Sequence, residues 1–113
     1  MIDLSYFIQL SNNKTSFLIK VMDIFIQETP NDLLELEKNF SVSNYKKVKE
    51  ICHKLKGLFK SYNMVELTKY TLELETFAKS ENFPPESSEL LKKIQNNYGQ
   101  ARLEMIELKS QYK

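Results

Sequence analysis

Glycine, proline and cysteine are scarce in this chain, and each shortage excludes something. The two glycines are Gly57 and Gly99, and the three prolines are Pro30, Pro84 and Pro85. A sheet-rich fold joined by tight hairpins needs more turn punctuation than that. The single cysteine, Cys52, excludes an internal disulfide and a cysteine-built zinc site. No stretch approaches the roughly 20 consecutive apolar residues that span a bilayer. The opening residues lack a signal-peptide pattern, so a cytoplasmic location without membrane association is expected. The formal net charge of +1 leaves no large electrostatic footprint for nucleic acid.

Helix-forming residues are abundant, with Leu, Lys, Glu and Ile the most frequent of them and Met also present. The 113 residues suit a single domain spanning 1–113 with one buried core. Apolar residues recur at helical spacing in five segments. Asp3 to Leu10 forms a short opening helix, ended by the Ser-Asn-Asn run at 11–13, after which Thr15 offers a cap. A long helix is expected from Ser16 to Asn39, with Phe17, Val21, Ile24, Phe25, Leu33, Leu36 and Phe40 inward. Pro30 removes a backbone donor in its middle and predicts a kink, a tightened turn or a break. Asn44 caps the next helix, which runs through Tyr62, and Asn63 suits the left-handed conformation of a reversal. Met64 to Lys79 follows, with Leu67, Tyr70, Thr71, Leu74 and Ala78 on one face. Asn82 to Pro85 reads as a loop. Glu86 to Gln111 closes the chain and carries Leu90, Ile94, Tyr98, Ala101, Met105 and Leu108. The expected fold is all-α: an antiparallel up-down four-helix bundle with the opening helix lying across it.

The helix from Asn44 to Tyr62 holds the residues that suggest chemistry. At about 100° per residue, Cys52, Leu55, Phe59 and Tyr62 fall within about 40° of Val48 and form its buried stripe. His53, the only histidine, falls about 140° away and should face solvent. Lys49, Lys56 and Lys60 project beside it, with Lys46 a further turn away. Gly57 lies one turn after His53 on the same outer face, although glycine in an exposed helix costs about 1 kcal/mol relative to alanine. No cap or turn explains it, and its missing side chain leaves a notch beside the imidazole.

A neutral imidazole is a good nucleophile toward phosphorus. Neighbouring ammonium groups stabilise a phosphoryl group once it is attached and attract an acidic partner. Nothing else in the sequence supplies a separate base, a metal cluster or a phosphate-cradling glycine loop. His53 therefore reads as a carrier whose catalytic machinery belongs to its partners. The competing reading is a helical interaction module that never carries phosphate, with the lysines and notch serving as a docking surface.

Cys52-His53-Lys54-Leu55-Lys56-Gly57 resembles the phosphoacceptor signature of histidine phosphotransfer domains, His-x-x-Lys-Gly preceded by a small residue. Further segments resemble the same family: Phe25-Ile-Gln-Glu-Thr-Pro30 its first long helix, Asn44-Tyr45 its Asp-aromatic helix start, and Leu74-Glu75 its Leu-Glu pair. The chain departs at Asn63, where the family usually has glycine, and at Leu58 and Lys60, where it usually has small residues.

The resemblance implies a multistep phosphorelay in which His53 accepts a phosphoryl group from one receiver domain and passes it to another. Lys56 would bind the phosphoryl oxygens and Gly57 would clear space for the receiver. Lys49, Lys60 and Ile26 are the expected docking residues. It also implies response-regulator receiver domains and a hybrid sensor histidine kinase as partners, and a monomer. No cofactor or metal of its own is expected, since the receiver would bring Mg²⁺, and no autonomous kinase activity is expected without an ATP-binding motif.

Overall fold

The computed structural model describes residues 2–12 and 14–112, and among these it contains helices and connecting turns but no strand. Six α-helices follow in order: α1 (Ser5–Ser11), α2 (Thr15–Asp23), α3 (Thr29–Ser41), α4 (Tyr45–Ser61), α5 (Val65–Lys79) and α6 (Pro85–Ser110). A π-helical turn, Ile24–Glu28, joins α2 to α3 without interrupting the helical path. Of the sequence-expected break at 11–13, Asn12 takes a left-handed φ of 54° after α1, while Asn13 lies outside the described residues. Lys14, rather than Thr15, occupies the cap position of α2.

The π-turn is how the chain accommodates Pro30. Inside a regular α-helix, a proline nitrogen cannot donate to the carbonyl four residues back, here Ile26. That carbonyl instead accepts from Arg102 Nε of α6 at 3.0 Å. Phe25 O accepts from Tyr98 Oη, also on α6, and Val21 O accepts from Tyr62 Oη at 2.6 Å. At Ile26 a side chain from a distant segment thus replaces the donor that Pro30 lacks, so no break into separate helices is needed.

Within the turn the buried face departs from the regular helical period, while Leu33 and Leu36 beyond it stay inward as expected. Ile24, expected inward, is only partly buried. Ile26, expected on the outside as a docking residue, is 6% exposed and belongs to the core. The expectation for Ile26 is corrected on that ground: a regular 3.6-residue period was carried through a turn that departs from it.

Phe25 sits at the centre of an aromatic cluster. Its ring centroid lies 5.0 Å from that of Tyr62 and 4.9 Å from that of Tyr98. Phe59 completes the group at 6.3 Å, and Phe7 of α1 stacks on Tyr62 at 5.0 Å. Each edge or tilted pair adds about 0.5–1.5 kcal/mol beyond area burial. At the far end, Phe83 packs against Phe40 and Tyr45 at 4.5 and 4.8 Å, so the 80–84 connection is anchored by its one aromatic residue.

The helix boundaries near the site follow local rules. Asn44 Oδ1 accepts from the Lys47 amide at 3.2 Å, which caps α4. Asn63 adopts φ 57° at the α4–α5 reversal, where Asn tolerates the left-handed region. Its amide also donates to Asp3 Oδ2 at 3.0 Å, tying the start of the chain to this turn. The short reversal holds α4 and α5 side by side along their length. It is this pairing that builds the candidate site.

Candidate functional site

The buried stripe of α4 is Val48, Ile51, Cys52, Leu55 and Phe59. Burying that stripe leaves His53 on the opposite side, with a side chain that is 74% exposed. Facing it across the α4–α5 seam is Glu75, whose side chain is 1% exposed. Glu75 occupies the inward face of α5 beside Thr71 and Ala78, where an apolar residue would ordinarily sit.

A buried carboxylate requires partners, and Glu75 has three. Lys56 Nζ donates to its Oε1 at 2.7 Å. His53 Nδ1 lies 3.0 Å from its Oε2. Lys79 Nζ, one turn further along α5, lies 3.9 Å from the same Oε2. Burial on its own pushes the Glu75 carboxyl up, but the hydrogen bonds from Lys56 and His53 and the nearby ammonium charges outweigh it. The result is a pKa below the usual glutamate value.

Glu75 is therefore ionised and only accepts hydrogen bonds, so His53 Nδ1 carries the proton between them. In a neutral imidazole this leaves the lone pair on Nε2. The ring is 74% exposed, so its unprotonated nitrogen is available to a visiting molecule. The geometry thus fixes one tautomer of a reachable nucleophile.

The expected lysines divide into two groups. Lys56, with its side chain 25% exposed, is drawn into the pair with Glu75. Lys49 and Lys60 are exposed. Lys54 pairs with Asp32 of α3 at 3.1 Å on the other flank, an exposed contact of small energetic weight.

Gly57 is exposed within α4, and its φ is not positive. A Cβ built at Gly57 meets nothing within 4 Å. No contact within the chain demands glycine there.

Glu75 is the residue that reading for chemistry missed. It was visible only as half of the Leu74-Glu75 pair. The available signal was its spacing: it follows Leu67 and Thr71 by eight and four residues, which puts a carboxylate on a core-facing stripe.

The family described as Hpt domain matches residues 20–110. Among solved structures, the chain is similar to histidine-containing phosphotransfer protein B from Pseudomonas aeruginosa PAO1, with a TM-score of 0.88 at 17% sequence identity. That likeness covers 99% of this chain and 96% of the other, and it is a likeness of fold. No curated protein matches the sequence. With a histidine turned outward from a helical scaffold and the family match spanning most of its length, the chain belongs to the Hpt family, the histidine phosphotransfer domains that work with receiver domains in phosphorelays.

Proposed function

We propose that His53 accepts a phosphoryl group from the aspartyl phosphate of one receiver domain and passes it to the aspartate of another. The observation that carries this reading is the 3.0 Å contact between His53 Nδ1 and the buried Glu75. It leaves Nε2 as the attacking atom. As the Nε2–P bond forms, the bond between phosphorus and the aspartate oxygen breaks, and its electron pair leaves with the carboxylate. The imidazole ring then carries additional positive charge, which Glu75 offsets through Nδ1–H. Reversal of the same steps delivers the group to the second receiver.

Lys56 supports the reaction in this account by holding Glu75 and by presenting an ammonium group near the phosphoryl oxygens. Gly57 supplies clearance for the receiver, and Lys49 and Lys60 attract its acidic surface. The receiver contributes Mg²⁺ and most of the charge stabilisation of the transfer step. A hybrid sensor kinase is the proposed source of the phosphoryl group. The chain acts as a cytoplasmic monomer, and none of its helices is long and apolar enough to cross a membrane among the described residues. Packing of α3 on α4, α4 on α5 and α5 on α6 supports the up-down four-helix arrangement.

The test uses the absence of any second histidine. Incubation with a phosphorylated receiver should yield an acid-labile, base-stable adduct, and His53→Gln should abolish it with helicity unchanged. An adduct that survives this substitution contradicts the assignment.

A further inference from the structure

The surface beside His53 is concave. Past Gly57, the seam between α4 and α5 opens into a trough of ≈ 400 Å³ lined by Gly57, Lys60, Met64, Val65, Thr68 and Leu72, with Lys56 also in its wall. Val65 is 76% exposed and Leu72 46% exposed. They stand two turns apart on one stripe of α5. Scattered surface apolar residues need no explanation, but these two border a depression shared with Gly57, the notch residue.

The position of the trough determines what covers it. Residue 60 lies about 10 Å along the helix axis from residue 53, at 1.5 Å per residue. A stable protein interface occupies about 800 Å² on each partner, equivalent to a disc of about 16 Å radius. A partner that brings a reacting atom to His53 therefore extends over the trough as well. Lys60, which is exposed, gives the same region a positive charge, complementary to an acidic surface.

We infer that the trough is a recognition pocket for the receiver domain that exchanges its phosphoryl group with His53. It seats an apolar side chain of that receiver against Val65 and Leu72, while a receiver carboxylate meets the ammonium group of Lys60. Selectivity among receivers then lies on the α4–α5 side of the histidine, separate from the reacting atoms. This inference rests on the carrier reading above.

The experiment measures phosphotransfer from a phosphorylated receiver over a range of receiver concentrations, for the intact chain and for Leu72→Glu, Val65→Glu and the uncharged Leu72→Ser. Phosphoramidate, a small donor that needs no docking surface, reports the reactivity of His53 separately. The expected result is an increase of about tenfold or more in KM for the two glutamate variants and a smaller increase for Leu72→Ser. The kcat and the rate with phosphoramidate should stay within about twofold, given that both residues are exposed. An unchanged KM in all three variants overturns the pocket and leaves the carrier reading standing. Failure of the unsubstituted chain to form any adduct on His53 overturns both.

Discussion

His53 Nδ1 and Glu75 Oε2 lie 3.0 Å apart, although 22 positions separate the residues in the chain. One partner is exposed to solvent and the other is buried. The contact joins the solvent-facing side of α4 to the interior of α5. A flexible surface histidine becomes a ring of fixed orientation and fixed tautomer. Removal of this carboxylate should impair chemistry more than docking. Glu75→Gln is expected to lower kcat for phosphotransfer by about 10- to 100-fold, the usual penalty for losing a partner that orients a reactive imidazole. KM for the receiver should stay within about twofold. Rapid-quench transfer kinetics would separate the two parameters, and a variant with normal kcat would remove Glu75 from the mechanism.

Glu75 also links stability to pH. Its folded pKa lies below the ordinary value of 4.5 because the hydrogen bonds and charges of Lys56, His53 and Lys79 outweigh the opposing effect of burial. The stabilisation this confers is fully present above the unfolded pKa and is lost as pH falls through the folded one. Urea unfolding midpoints of the native chain and of Glu75→Gln should therefore run parallel above about pH 6, with the native chain higher, and the gap should narrow in acid as the native chain loses more. Parallel midpoints down to the acid limit would contradict the ion-paired state of this carboxylate.

Gly57 separates folding from function. No neighbour within 4 Å would meet a methyl group there, and alanine is the better helix former by about 1 kcal/mol. Gly57→Ala should raise the unfolding free energy by up to about that amount while weakening receiver binding. Thermal melts together with transfer assays would show the opposed changes. A variant that is destabilised would mean that glycine serves the helix itself.

Arg102 offers a test of the fold. Its Nε donates to the Ile26 carbonyl at 3.0 Å, the group that Pro30 leaves without its helical donor. Arg102→Met keeps much of the stem but removes the donor, so a loss of about 1–3 kcal/mol is expected for an unsatisfied carbonyl. Denaturant titration would measure it. A neutral result would show that water reaches this carbonyl.

Cys52 is fully buried and its thiol is pushed up to about 12, chiefly by burial. A disulfide reagent at neutral pH should label it only at the rate at which the chain opens. Fast stoichiometric labelling of the folded chain would contradict its place in the core.

Much of this arrangement is legible in the sequence. The α4 wheel turned His53 away from Val48, Cys52, Leu55 and Phe59 because a single helix obeys one period. The Asn44 cap and the Asn63 reversal followed from local chemistry as well. What escaped depends on residues far apart in sequence. The π-turn at 24–28 is stabilised by Tyr98 and Arg102, which sit more than seventy positions later, so no local pattern announces it. Ile26 was misplaced for that reason. Ser43 and Glu81 take positive φ values of 54° and 52° just past the ends of α3 and α5, where the amides of Asn44 and Asn82 bond back to the Asn39 and Phe77 carbonyls; neither residue type announces that conformation. Glu75 was missed as a functional group because a carboxylate on an inward face declares its role only when Lys56 and His53 are seen around it.

The central claim is that Glu75 holds the proton on Nδ1 and leaves Nε2 to take the phosphoryl group. Nitrogen-15 NMR of the His53 ring, recorded before and after phosphorylation by a receiver, tests it most directly. The account predicts an Nδ1–H tautomer in the unmodified chain and a nitrogen–phosphorus coupling at Nε2 in the product. A resting Nε2–H tautomer, or phosphorus bonded to Nδ1, would contradict it.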